Sequence, residues 1–200
     1  MEFRVLGPIQ LWSAGQPQDL GSPRERSLLV MLLLTPQVIV PAETLINQLW
    51  DKRPPPKARQ SLSVYIARLR ASLRHAVGDH VQLVGRAQGG YLIDVDPELV
   101  DVHRFRRLRR QAAALAASGV FEHAAELLHD ADDLWRGEAL AGIPGAWVGR
   151  IRDAMAEEHR GAIIERIGYD FELAATPTCS ASSGTCSPGT RSTKRSPPAR

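Results

Sequence analysis

The chain has 200 residues, 44% of them hydrophobic and 24% charged, with 25 Lys and Arg against 22 Asp and Glu. That supports a packed core in one or two domains. Membrane and secreted classes are excluded in favour of a cytoplasmic protein, because no stretch nears the roughly 18 apolar residues of a span and MEFRVLGPI lacks the basic-then-apolar order of a signal peptide. Cys179 and Cys186 lie in a Ser/Thr/Pro-rich stretch without His or carboxylate neighbours, which speaks against a disulfide framework or a zinc site, and no cofactor is expected. The net charge hides a division: +3 over residues 1–97, −4 over 98–174 and +4 over 175–200. A basic module followed by an acidic one fits a DNA-binding domain joined to one that meets protein.

FRVLGPIQLW alternates Phe3, Val5, Ile9 and Leu11 around Gly7-Pro8, and Gly15 and Pro17 then mark a turn, so a small antiparallel sheet is predicted. Ser22-Pro23 caps a helix of Leu28, Leu29, Met31, Leu32 and Leu33, apolar enough to lie centrally, and Pro36 ends it. A second helix follows Pro41, with Leu45, Ile46, Leu49 and Trp50 inward, and Pro54-Pro55-Pro56 turns into a third.

The third helix, Lys57 to Val77, organises the chain. Leu62, Ile66, Leu69, Leu73 and Val77 form one apolar stripe at about 3.6 residues per turn. Its other sides carry Gln60, Ser63, Val64, Ala67, Arg68, Arg70 and Arg74, with Lys57 and Arg59 at its start. From Lys52 to Gly78 there are seven Lys and Arg and no Asp or Glu, which points to a polyanion. Small residues among arginines let a helix sit deep in a major groove; the bland alternative is a solvated basic face. VQLVGRAQGGYLIDV then predicts a hairpin with Arg86 at its tip. A sheet, three helices with the third basic and a closing hairpin specify a winged helix.

Asp101 is read as the N-cap of a helix carrying Phe105, Leu108, Ala112 and Leu115 and ended by Ser118-Gly119. Ala124, Leu127, Leu128, Ala131, Leu134 and Trp135 mark the next, from Phe121 to near Gly137, and a long helix runs from Trp147 through Ile151, Met155, Ile163, Ile167 and Phe171 to about Glu172. The first two read as one helical-repeat hairpin. His123, His129, Asp130, Asp132 and Asp133 spread around one helix without the spacing of a metal site, and with no phosphate loop, nucleophile elbow or paired-carboxylate pocket an enzyme is not expected.

FRVLGPIQLW, LGSPRERSLLVMLLL, VPAETLINQLW, PPKARQSLSVYIARLRASL and GGYLIDV follow in the order and wording of the OmpR/PhoB-type winged helix of the Streptomyces antibiotic regulatory proteins (SARPs), and the resemblance covers residues 2–97. VDVHRFRRLRRQAAALAASG, AAELLHDADDLWRGEALAGIP and WVGRIRDAMAEEHRGAIIERIGYDFELA resemble the start of that family's bacterial transcriptional activation domain, to about Ala174. The resemblance implies a mainly α fold with small antiparallel sheets: a winged helix-turn-helix at 1–97, then an incomplete, TPR-like helical domain at 98–174. It further implies a transcriptional activator in which two protomers on direct repeats of double-stranded DNA contact RNA polymerase holoenzyme and switch on a secondary-metabolite cluster. Carried over position by position, it marks Ser61, Ser63, Val64, Tyr65, Ala67 and Arg68 as groove-facing and Arg70 and Arg74 as phosphate clamps; Tyr65 borders the apolar stripe and also fits the core.

The family's helices continue beyond this point, whereas ATPTCSASSGTCSPGTRSTKRSPPAR has no apolar period and reads as a disordered tail. Back-translated from the third base of the Ala175 codon with free wobble bases, it can spell DTDVLGELRDLLARHPLDEALA, wording proper to the family's next helices. A frameshift and a truncated helical domain are the reading; a natural linker or basic DNA-binding extension is the alternative. The competing functions are a helical-repeat interaction module and a truncated decoy that binds DNA without activating. Residues 1–97 are expected to fold alone.

Overall fold

A computed structural model describes residues 1–51, 53–78, 84–87 and 89–175, with the backbone alone for 85–87. The expectations for the tail after Ala175, for both cysteines, for Lys52 and for the Arg86 side chain fall outside the described residues.

Strands β1 (Glu2–Arg4), β2 (Gln10–Ser13) and β3 (Gln16–Gln18) form an antiparallel sheet, with Phe3 opposite Leu11 and Leu11 opposite Gln18. Helix α1 (Pro23–Leu33) follows, set by a capping box: the Ser22 amide donates to Glu25 Oε2 at 2.9 Å and the Glu25 amide to Ser22 Oγ at 3.5 Å. Gly21 has φ +75°, and a Cβ there would collide with the Glu25 carboxylate, so only glycine admits this cap. All six residues Leu28–Leu33 are buried, which places α1 at the centre of the domain.

Helix α2 (Ala42–Leu49) inserts Leu45 and Ile46, and α3 (Ala58–Val77) buries Leu62, Ile66, Leu69 and Leu73 against α1 and α2. Fully burying each such side chain contributes roughly 1.5–3 kcal/mol, so the stripe alone fixes which face of α3 is left for solvent. Strand β4 (Val40–Pro41) pairs with β6 (Gly90–Ile93), which pairs with β5 (Val84–Ala87), giving the order β4-β6-β5. A Cβ on Gly90 would overlap the Val40 carbonyl, so this glycine permits the closure of the hairpin on β4.

A 3₁₀ turn at Pro97–Leu99 leads into α4 (Asp101–Ala117), which forms an antiparallel hairpin with α5 (Phe121–Asp132); α6 (Ala146–Ala175) packs on α5. The Arg run of α4 is spent on ion pairs: Arg106 makes a two-pronged bond to Glu158 at 2.7 and 2.8 Å and Arg109 another to Glu165 at 2.6 and 3.0 Å, both on α6. Trp135 stacks on His159 at 4.0 Å and meets Phe105 edge-on at 5.5 Å.

Asp101 corrects the sequence reading. The N-cap of α4 is Val100, and no side chain caps it. The fully buried Asp101 carboxylate instead reaches back to the first strand, accepting the Val5 amide at 2.8 Å, the Leu6 amide at 3.1 Å and the Arg136 guanidinium. Burial pushes its carboxyl above the ordinary value of 3.8, against the pull of these donors. Around it, Arg136 N donates to the Leu6 carbonyl at 2.8 Å, Leu140 N to the Val5 carbonyl at 2.9 Å and Ala141 N to the Gly7 carbonyl at 3.2 Å. The loop after α5 is thus clasped to residues 5–8 by these bonds and by one isolated bridge between Pro8 and Ala141, and one hydrophobic core runs unbroken from Phe3 to Ala162. At the far end of α6, Ile164, Ile167 and Phe171 are 69%, 46% and 72% exposed.

Candidate nucleic-acid interface

With one stripe of α3 committed to the core, its opposite ridge is formed by Gln60, Val64, Ala67 and Ala71, all exposed, with exposed Ser63 beside them. The ridge is narrow, since its only long side chain is Gln60. Cations bracket it. Arg68 lies on the flank toward α1 and Arg70 on the flank toward the hairpin, and exposed Lys57 and Arg74 stand at the start and in the last turn of the helix. This spacing lets small side chains approach base edges while the flanks meet the two phosphate strands.

Each flank is positioned by particular bonds. Arg70 Nε donates to the Val84 carbonyl at 3.0 Å, so this half-buried arginine tethers the hairpin to α3 as well as carrying charge beside it. Arg68 is 65% exposed and stands 3.9 Å from the buried Glu25 of α1. Arg59 pairs with Glu43 of α2 at 2.6 Å; both are largely exposed, so the pair is weak and exchangeable for a phosphate. Ser63 Oγ donates to the Arg59 carbonyl at 3.1 Å, turning its hydroxyl along its own helix. Tyr65 is half-buried with its ring 6.4 Å from Trp50, a position on the α2 side of α3, away from the ridge. Ser61 is half-buried on that same side. Arg86 pairs with Tyr91 in the β5–β6 ladder, on the strand rather than the turn of the hairpin.

The sequence-based set therefore divides: Ser63, Val64, Ala67 and Arg68 share the outer surface, Lys57, Arg70 and Arg74 border it, and Ser61, Tyr65 and Arg59 sit toward α2. Gln60 was absent from that set. Its position opposite Leu62 and Leu69 was the available signal, and its amide can pair with the N6 and N7 of adenine.

The gap between the domains is closed by the start of α6. Ala146 N donates to Asp51 Oδ1 at 3.2 Å, and Pro144, Gly145 and Val148 face Ser22, Arg24, Tyr65 and Arg68 across a cleft of about 580 Å³.

Known protein families match both parts of the chain. Residues 15–93 match the family "transcriptional regulatory protein, C terminal" and residues 100–182 the "bacterial transcriptional activator domain". The chain is 35% identical over 173 residues to the regulatory protein AfsR of Streptomyces coelicolor, covering 86% of this chain and 17% of AfsR. It is 34% identical over 144 residues to the transcriptional regulatory protein MoaR1 of Mycobacterium tuberculosis (72% of this chain, 46% of MoaR1). To the regulatory protein DnrI of Streptomyces peucetius it is 30% identical over 179 residues (86% of this chain, 66% of DnrI). A solved structure of Mycobacterium tuberculosis EmbR in complex with a low-affinity phosphopeptide superposes with a TM-score of 0.81 at 29% identity, over 86% of this chain and 46% of that one. The chain spans well under the full length of each of these relatives. With the two family models matched in succession and named regulators aligned over most of the chain, the chain belongs to the SARP family of DNA-binding transcriptional regulators.

Proposed function

We propose that the chain reads specific duplex sequences with α3 and activates transcription from them. In this reading residues 1–97 are the DNA-binding winged helix and residues 98–174 supply the surface that meets RNA polymerase holoenzyme. Two protomers occupy direct repeats beside a promoter, in the cytoplasm, and the controlled genes form a secondary-metabolite cluster. The observation that carries it is the outer face of α3, where Gln60, Ser63, Val64, Ala67 and Ala71 make a low ridge between two flanks of cations. Gln60 and Arg68 are assigned to base edges, with Ser63, Val64 and Ala67 allowing close approach. Lys57, Arg59, Arg70 and Arg74 are assigned to phosphates, as is Arg86 from the hairpin; Ser61 and Tyr65 hold the α2 side of the helix in place. A half-site selected from random duplexes by the full chain tests this. Substituting Gln60 or Arg68 by Ala is expected to erase the preference at one or two base pairs, whereas Arg74→Ala lowers affinity for every duplex. Unchanged preference in both Gln60→Ala and Arg68→Ala would refute the assignment.

A further inference from the structure

The cleft between α1, α3 and the start of α6 is set apart by its lining. Buried Met31 and Val148 form its floor, and half-buried Leu49 and Tyr65 add apolar surface beside polar Ser22, Ser27 and Gln48. Two cations reach it from different helices, Arg24 of α1 and Arg68 of α3. Arg24 lies over the Trp50 ring at 5.3 Å and donates one N–H to the Leu49 carbonyl at 2.8 Å. Arg68 stands beyond hydrogen-bond distance from its nearest described carboxylate, Glu25, whose Oε2 accepts the Ser22 amide. A guanidinium has five N–H donors, so both arginines have donors to offer a ligand. Asp51 is the acidic residue of the lining, and its Oδ1 is occupied by the Ala146 amide across the cleft.

A volume of about 580 Å³ lies within the range of small-molecule sites, which are apolar clefts at domain interfaces with a few placed polar groups. A sugar-phosphate strand, polar all round, gains nothing from a floor of Met31 and Val148. A compact molecule with an apolar body and one carboxylate gains from both halves. We propose that this cleft is an effector site for an amphipathic organic carboxylate, whose anion is held between Arg24 and Arg68 and whose apolar body lies on Met31, Leu49, Tyr65 and Val148. Because Arg68 also borders the DNA-facing ridge, a bound carboxylate withdraws that cation from the duplex. Ligand and DNA are then negatively coupled, each weakening the other by the same factor.

The test uses the full chain and 1-naphthoate as probe, first without DNA, so that it stands whether or not α3 reads sequence. Titration calorimetry is expected to show one saturable site, with uncharged 1-naphthamide at least about tenfold weaker for want of the charge-assisted bonds. Arg24→Glu places an acid in the first turn of α1, where the helix dipole favours it, and is expected to abolish naphthoate binding while leaving the unfolding midpoint close to wild type. Arg24→Gln gives an intermediate loss and serves if the reversal disturbs folding. With DNA present, saturating naphthoate lowers duplex affinity in the wild type and not in Arg24→Glu. Absence of saturable binding, equal affinity for the amide, or naphthoate binding that survives Arg24→Glu, as it would on the exposed Ile164–Phe171 face, overturns the proposal. So does a uniform loss of duplex affinity in Arg24→Glu without DNA-free naphthoate binding, which would assign the cleft to the DNA backbone.

Discussion

Asp101 joins the two halves of the chain, and removing its carboxylate is expected to unfold them together. In Asp101→Ala the Val5 and Leu6 amides lose their acceptor in a site closed to water, and the Arg136 guanidinium loses its counter-charge. An unsatisfied buried amide costs about 1–3 kcal/mol, and breaking a buried ion pair by deleting one partner about 3–5 kcal/mol. These costs overlap because one carboxylate serves all three donors, so about 3–5 kcal/mol is expected for the whole. That is a large part of the roughly 5–15 kcal/mol that holds a folded domain. At about 2–4 °C per kcal/mol for a chain of this size, the midpoint falls by roughly 6–20 °C. Thermal and urea unfolding followed by circular dichroism and by tryptophan fluorescence measures it, with both probes expected to move together, since Trp12 and Trp50 report the winged helix and Trp135 and Trp147 the helical domain. A loss below about 1 kcal/mol, or a transition that moves in one domain only, would show that the clasp of residues 136–141 on residues 5–8 holds without its carboxylate.

Four further outcomes are expected. A fragment of residues 1–97 lacks Asp101 and the 136–141 segment, leaving the Val5 and Leu6 amides without acceptors; native-state hydrogen exchange is expected to find its first strand unprotected, whereas the full chain protects it. Because burial raises Asp101 in the folded state, its contribution is largest below the ordinary value of 3.8 and declines as pH climbs through the raised folded value, so the stability gap between wild type and Asp101→Ala is expected to be wider at pH 3.5 than at pH 7 in urea titrations. Arg70→Ala removes both a cation and the bond to the Val84 carbonyl, and is expected to lower affinity for all duplexes while speeding amide exchange in β5. Phe171→Ser, at a side chain 72% exposed, is expected to change the unfolding free energy by less than about 0.5 kcal/mol and to reduce self-association in sedimentation runs.

The winged helix was legible because its signals are local. The stripe of α3 keeps one period from Leu62 to Leu73, the Ser22-to-Glu25 spacing writes the α1 cap, and Gly89-Gly90 marks the hairpin. The reading failed where the partner is distant along the chain. Asp101 looks like an N-cap beside Val102, and nothing near it reveals that its donors lie 95 and 96 residues earlier. The sequence reading gave the arginines of α4 no role, although Arg106 and Arg109 are matched to glutamates 52 and 56 positions later on α6. In the candidate interface the cationic flanks were visible as composition, whereas the inward turn of Tyr65 depends on Trp50 across the α2–α3 bend, and Gln60, although placed on the outer side of the helix, was left out of the contact set because polar residues on an exposed face give no periodic signal.

The most direct test of α3 as the DNA-reading helix is the salt dependence of duplex binding by the full chain, measured on its selected half-site and on a scrambled duplex. Lys57, Arg59, Arg70, Arg74 and Arg86 neutralising one phosphate each give a log–log slope of about −4 to −5, at roughly −0.9 per phosphate, shared by both duplexes, and Arg74→Ala reduces it by about 1. Selected duplex is expected to bind at least about a thousandfold tighter than scrambled at physiological salt, the gap closing in Gln60→Ala and Arg68→Ala. A slope near zero, or equal affinity for both duplexes in the wild type, would contradict it.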